Sequence, residues 1–155
     1  MMTKGAVLGK ILAISISEIK GVPKTPIDHC TMIVDFGIEG DAHGGKWHRQ
    51  VSLLGVESAQ KVADQGMDGI CHGRFAENIT TEGIVLYHLP VGTHIWLGDT
   101  LHEVTQIGKE CHHGCAIKAT VGDCVMPREG IFTRVVTGGP VATGDAIYAA
   151  LEVIV

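Results

Sequence analysis

The chain is 155 residues long, 45% apolar and acidic, with a net charge of -5 when its histidines are neutral. Such a length suits a single domain, residues 1–155, large enough to bury a core without disulfide staples. The acidic balance leaves no basic face for nucleic acid, and apolar runs of about five to eight residues fall short of the ~20 that span a bilayer.

No signal-peptide core precedes a cleavage site, so a cytoplasmic protein is expected, without a membrane partner. Five cysteines, an odd number, then point to reduced, working thiols rather than a disulfide framework. Glycine is the unusual component: 21 of 155 residues is about twice the common share of ~7%. With few aromatics, this excess predicts many tight turns between short strands.

From the N-terminus, Lys10–Glu18 alternates, with Leu12, Ile14 and Ile16 on one side, and predicts a strand with one buried face. Lys20–Pro26 carries two prolines and reads as an exposed loop; its Lys24 either touches an anion or, the preferred reading, is solvated. Cys30–Phe36 is rich in β-branched residues and predicts a second strand. The run from Gly37 to Leu54 begins too glycine-rich for regular structure and ends in a short strand, Gln50–Leu54. Its His43, Lys46, His48 and Arg49, on turns that glycine permits, read either as a cradle for an anion or as a polar surface loop.

Val56–Gln65 spaces Val56, Ala59, Val62 and Ala63 on one helical face, and Gly66 is a natural stop. Gly69–Thr80 reads as an irregular turn entering a strand; Cys71 there reads as buried packing in preference to a ligand, and Asn78 is either a turn former or an amide that reads a ligand. Thr93–Leu97 and Thr100–Ile107 are strands joined by Gly98-Asp99, a strong hairpin signal. Ile131–Thr137 and Ala146–Val155 are strands again, with turns at Gly138-Gly139-Pro140 and Gly144-Asp145. Seven or eight strands, one helix and no βαβ rhythm predict a mainly β fold, a closed or nearly closed antiparallel β-barrel.

The chemistry concentrates between Ile107 and Phe132, which hold Cys111, Cys115 and Cys124, the adjacent His112 and His113, and the cations Lys109, Lys118 and Arg128. Three readings stay open. The C-x3-C spacing, with Cys124 and one histidine, allows a structural zinc site; the cysteines are inert packing groups; or a thiolate, its pKa lowered by Lys109 and the histidines, serves as a soft metal ligand or carries sulfur as a persulfide. Adjacent residues on an extended backbone face opposite ways, so at most one of His112 and His113 shares a site with the thiols.

Three groups of residues carry a family resemblance. They are Gly108-Lys-Glu-Cys-His-His-Gly-Cys with Gly122-Asp-Cys-Val-Met-Pro-Arg-Glu-Gly-Ile-Phe; Gly37-Ile-Glu-Gly-Asp-Ala-His with His48-Arg-Gln-Val-Ser-Leu; and Phe75-Ala-Glu-Asn-Ile-Thr. Together they resemble the stand-alone MOSC domains, named for the molybdenum cofactor sulfurase C-terminal domain, from Lys10 to Leu151. The resemblance implies a β-barrel that binds molybdenum cofactor (molybdopterin) or a related small ligand. It also implies a catalytic cysteine, here Cys111 or Cys115, that ligates molybdenum or carries persulfide sulfur. It implies that Asp41, His48, Arg49, Asn78, Lys109, His112, His113 and Arg128 shape or hold the cofactor, and that a cysteine desulfurase or a molybdoenzyme is the protein partner. A molybdenum-dependent reductase of N-hydroxylated compounds is the enzymatic alternative. Two departures bear on it: Ala76 stands where many relatives place an arginine, removing one anion contact, and the extra N-terminal barrel of the larger reductases is not expected here.

Overall fold

The computed structural model describes residues 1–20, 22, 24–63, 77–108 and 129–153, with only the backbone of residues 61–63. Its strands are β1 (Met2–Ile16), β2 (Thr25–Ile27), β3 (His29–Ile33), β4 (Gly37–Ile38), β5 (Val51–Gly55), β6 (Ile79–Glu82), β7 (His94–Leu97), β8 (Thr100–Ile107), β9 (Ile131–Thr137), β10 (Gly139–Ala142) and β11 (Ala146–Glu152). Helix α1 (Val56–Ala63) follows β5, and a 3-10 turn spans Leu86–His88.

Seven strands close a barrel in the order β1-β11-β7-β8-β9-β5-β6 and back to β1, with β2 added beside β1. Closure removes the free edges that an open sheet of this size would expose. Each strand of the ring contributes a fully buried aliphatic: Ile11, Ile147, Ile95, Val104, Ile131, Leu53 and Ile79. A smaller antiparallel sheet, β10-β3-β4, sends Cys30, Met32, Ile38 and Val141 into the same core. The barrel is thus filled by β-branched and other aliphatic side chains, as the strand composition predicts.

The barrel is mixed rather than wholly antiparallel: β5 and β6 run parallel, Leu53 opposite Ile79 and Gly55 opposite Thr81. A parallel pair needs a long crossover, and here it includes α1, so the chain holds one βαβ unit that the sequence rhythm did not reveal. Both faces of β5 are covered, so all five of its residues are buried.

Strand β1 starts at Met2 rather than Lys10, because its first half pairs with β11 from Met2–Glu152 to Lys10–Ala146. It then switches neighbours to β6, with a register shift between Ile11 and Ala13. The expected alternation is broken there: Ile11, Ala13, Ile14 and Ser15 are all buried. Two further segments differ from expectation. Thr25–Ile27, which takes in the end of the supposed proline loop, forms β2, and Gly139–Ala142, reaching beyond the supposed turn, forms β10. Conversely, Val34–Phe36 turns instead of extending β3, with Asp35 in the left-handed region at φ 56°.

Candidate functional site

The loop from Gly37 to Arg49 is built on a buried ion pair. Lys24 Nζ lies 2.6 Å from Asp41 Oδ1, and both side chains are fully buried. Asp41 also accepts the backbone N–H of Ser17 at 3.1 Å and of His43 at 3.3 Å. A buried charge is tolerable only when paired and hydrogen-bonded, and Asp41 meets that condition on both oxygens. The expectation of a solvated Lys24 is therefore corrected: β2 and the loop fold over it, and Asp41 takes its charge.

The same ammonium reaches His43 Nδ1 at 2.9 Å. An ammonium can only donate, so Nδ1 accepts and a neutral His43 carries its proton on Nε2. The carbonyl of His43 accepts the Trp47 indole N–H at 2.8 Å, and the Trp47 ring meets the His48 ring edge-on at 5.9 Å. Lys20 lies over that indole at 5.5 Å. Only glycine serves at the start of this loop: Gly37 has φ 121°, and a Cβ there would come within 2.6 Å of Gln50 O.

At the far end of the loop, His48 and Arg49 meet on one amide. Gln106 Oε1 lies 2.9 Å from His48 Nε2 and 3.0 Å from Arg49 Nε. Gln106 Nε2 donates to Gly108 O at 2.7 Å, which fixes the orientation of the amide. Because Oε1 only accepts, His48 bonds through Nε2–H and leaves Nδ1 open. The guanidinium of Arg49 stacks over Phe132 at 5.3 Å, half-buried, while its terminal nitrogens donate to nothing among the described residues. Thr105 Oγ1 reaches the carbonyls of both His48 and Phe132, the latter at 3.1 Å, tying loop, β8 and β9 together. Beside this cluster Gly108 N donates to Gly130 O at 2.6 Å. Gly108 and Gly130, which bracket residues 109–128 in the sequence, thus meet at the Gln106 amide that holds His48 and Arg49.

Asn78 is spent inside the barrel wall. Its Oδ1 accepts Ser52 N at 3.0 Å and Ser52 Oγ at 3.2 Å, and its Nδ2 donates to Ser15 O at 3.1 Å. It clamps β1, β5 and the start of β6 behind the site. Cys30 is a packing group, its thiol pushed up to about 11 by burial and then by the charge of Asp145.

Lys109, Cys111, His112, His113, Cys115, Cys124 and Arg128 lie outside the described residues, as do Cys71, Ala76, and Gln65 and Gly66 at the end of the predicted helix. Among the described residues, no group of three or more His, Cys, Asp or Glu side chains could hold a metal, and no helix is long and apolar enough to cross a membrane. The structure adds Gln106, Thr105 and Lys24 to the residues chosen from sequence. Gln106 carried one signal: it stands two residues before Gly108, at the end of a strand that leads directly into the cysteine stretch.

The MOSC domain family model matches residues 39–148, well over half of the chain. No curated protein matches the sequence. Among crystal structures, YuaD from Bacillus subtilis is similar with a TM-score of 0.76 and 20% identity, over 99% of this chain and 100% of that one. YiiM from Geobacillus stearothermophilus has a TM-score of 0.72 and 20% identity, over 93% of this chain and 75% of that one. YiiM from Escherichia coli has a TM-score of 0.62 and 16% identity, over 93% and 71% respectively. At these identities the likeness is one of fold.

Proposed function

Since the chain belongs to the MOSC domain family, we propose that it holds a molybdenum–pterin cofactor at the basic cleft of His48 and Arg49 and uses Cys111 or Cys115 as metal ligand or persulfide carrier. The observation that supports this reading is the Gln106 anchor. One amide oxygen orients both the His48 ring and the Arg49 guanidinium beside Gly108 and Gly130, which bracket the cysteine-bearing stretch in the sequence.

The donor set suits the anionic end of such a cofactor. Gln106 engages Arg49 only through Nε, so the two terminal nitrogens remain to grip a phosphate as a fork. His48, held through Nε2, offers Nδ1, which donates when the ring is protonated. Asp41 and Asn78 act from behind, by fixing the loop and the barrel wall. Lys109, His112, His113 and Arg128 would favour the thiolate over the thiol. When bound, the cofactor supplies a molybdenum centre suited to a soft sulfur ligand. In this reading the protein works in the cytoplasm, where thiols stay reduced, and exchanges sulfur or cofactor with a cysteine desulfurase or a molybdoenzyme.

The test is metal and pterin analysis of protein purified without oxygen from a cofactor-producing host. We expect molybdenum and pterin near one per chain in the parent protein, lost in the Cys111→Ser/Cys115→Ser double variant. Arg49→Gln should weaken retention about tenfold or more, since a charge-assisted hydrogen bond contributes about 1.5–3 kcal/mol. Full loading of the double variant would sink the proposal.

A further inference from the structure

We propose that the indole of Trp47 is the platform on which the flat ring of a phosphate-bearing heterocycle, a pterin, stacks while its phosphate sits at Arg49 and His48; the place of the phosphate rests on the cofactor reading above. Trp47 thereby selects for the ring.

Among the described residues, Trp47 is the one exposed aromatic, with 40% of its surface open. An exposed apolar residue is common in itself, so what matters is which part of it meets water. The indole N–H, the only polar group of the ring, is already donated to His43 O at 2.8 Å. Water is left with carbon. The ring is also held in place, because Trp47 N donates to Gly45 O at 2.9 Å and the buried Lys24 and Asp41 fix His43 beneath it. A rigid, open aromatic with no unmet polar group offers contact area at small cost in conformational entropy.

Its neighbours indicate the kind of ligand. The His48 ring meets the indole edge-on at 5.9 Å, and the Gln106 oxygen that holds His48 also holds Arg49. The indole therefore flanks the anion site. The Lys20 ammonium lies 5.5 Å over the indole on an exposed side chain, which marks an accessible π-face. Such a contact is weak at an exposed site and yields to a ring. A flat heterocycle gains that face, whereas an aliphatic phosphate gains the anion contacts alone.

The experiment is a calorimetric titration of the full chain with neopterin 3′-phosphate, a pterin joined by a three-carbon chain to a phosphate, and with glycerol 3-phosphate, which keeps chain and phosphate but lacks the ring. Neopterin phosphate should bind with a dissociation constant of about 0.1 mM, and glycerol 3-phosphate about tenfold more weakly, the scale of one stacked ring. Trp47→Leu should bring neopterin phosphate down to the affinity of glycerol 3-phosphate. Trp47→Phe, which loses the same hydrogen bond to His43 but keeps an aromatic face, should hold most of the preference. Equal binding of the two probes by the parent protein, a preference that survives in Trp47→Leu or disappears in Trp47→Phe, or no binding of neopterin phosphate at about 10 mM would overturn the proposal. Trp47-dependent binding of neopterin phosphate by a chain that retains no molybdenum would instead overturn the cofactor reading and support the platform.

Discussion

Lys24 and Asp41 carry opposite charges on fully buried side chains, 2.6 Å apart beneath the loop that presents His48 and Arg49. Removing one member strands the other, and breaking a buried pair in this way costs about 3–5 kcal/mol. Lys24→Met should therefore lower the urea midpoint substantially and loosen the loop. The readout is denaturation followed by intrinsic fluorescence, since Trp47 hangs from His43 O within the same loop. Little in the sequence warns of this pair. The partners lie seventeen positions apart, neither lies in a periodic segment, and a lysine between prolines looks solvated on every local criterion. Asp41, His48 and Arg49 were legible because they sit in a glycine-rich stretch with a recognisable order. Gln106 was not, since its importance comes from facing His48 and Arg49, which lie nearly sixty positions earlier in the chain.

At the level of elements, the strands that sequence revealed best are those with their own turn chemistry. The hairpin of β7 and β8 turns at Gly98-Asp99 as anticipated, with Leu97 opposite Thr100 and Gly98 at φ 59°. The first half of β1 escaped because it pairs as a ribbon with β11 and stays largely half-exposed, without the alternation that burial on one face imprints. The parallel contact of β5 with β6 escaped because parallel pairing leaves no local signature; it depends on where the crossover lands. The approach of Gly37 in β4 to Gln50, the residue before β5, makes a sharp prediction. Gly37→Ala places a methyl 2.6 Å from Gln50 O at φ 121°, so it should destabilise the chain by more than about 1 kcal/mol, the scale set for substitutions that a positive φ forbids. A thermal melt of this variant beside Gly40→Ala separates the two causes. Gly40 also has positive φ, but nothing lies near its added carbon, so Gly40→Ala should cost less.

Across the whole molecule, one buried histidine sets a response to acid. His102 is fully buried in the barrel, and burial pushes its pKa down to about 3. Thr100 Oγ1 donates to Leu97 O and so accepts from His102 Nε2, 2.9 Å away, while Thr133 Oγ1 lies 3.0 Å from Nδ1. The ring is thus held neutral, with its proton on Nε2. The unfolded chain takes up a proton near the ordinary value of about 6.5, so between that pH and about 3 the unfolded state binds more protons. The contribution is fully present above about 6.5 and is lost as pH falls through this window, by about 1.4 kcal/mol per unit. Urea unfolding at stepped pH should show this slope, and His102→Asn should flatten it by one proton.

The ring closes through its first and last strands, and Met2 sits directly opposite Glu152. A force pulling residues 2 and 152 apart would therefore act across the ladder at its outer end, loading one pair of residues at a time rather than sliding the two strands past each other. In a single-molecule stretching experiment the barrel should open like a zip, at low force, beginning with the pairs at Met2, Thr3 and Lys4. The same fold that leaves the ring without a free edge at rest is mechanically soft along the line joining its ends.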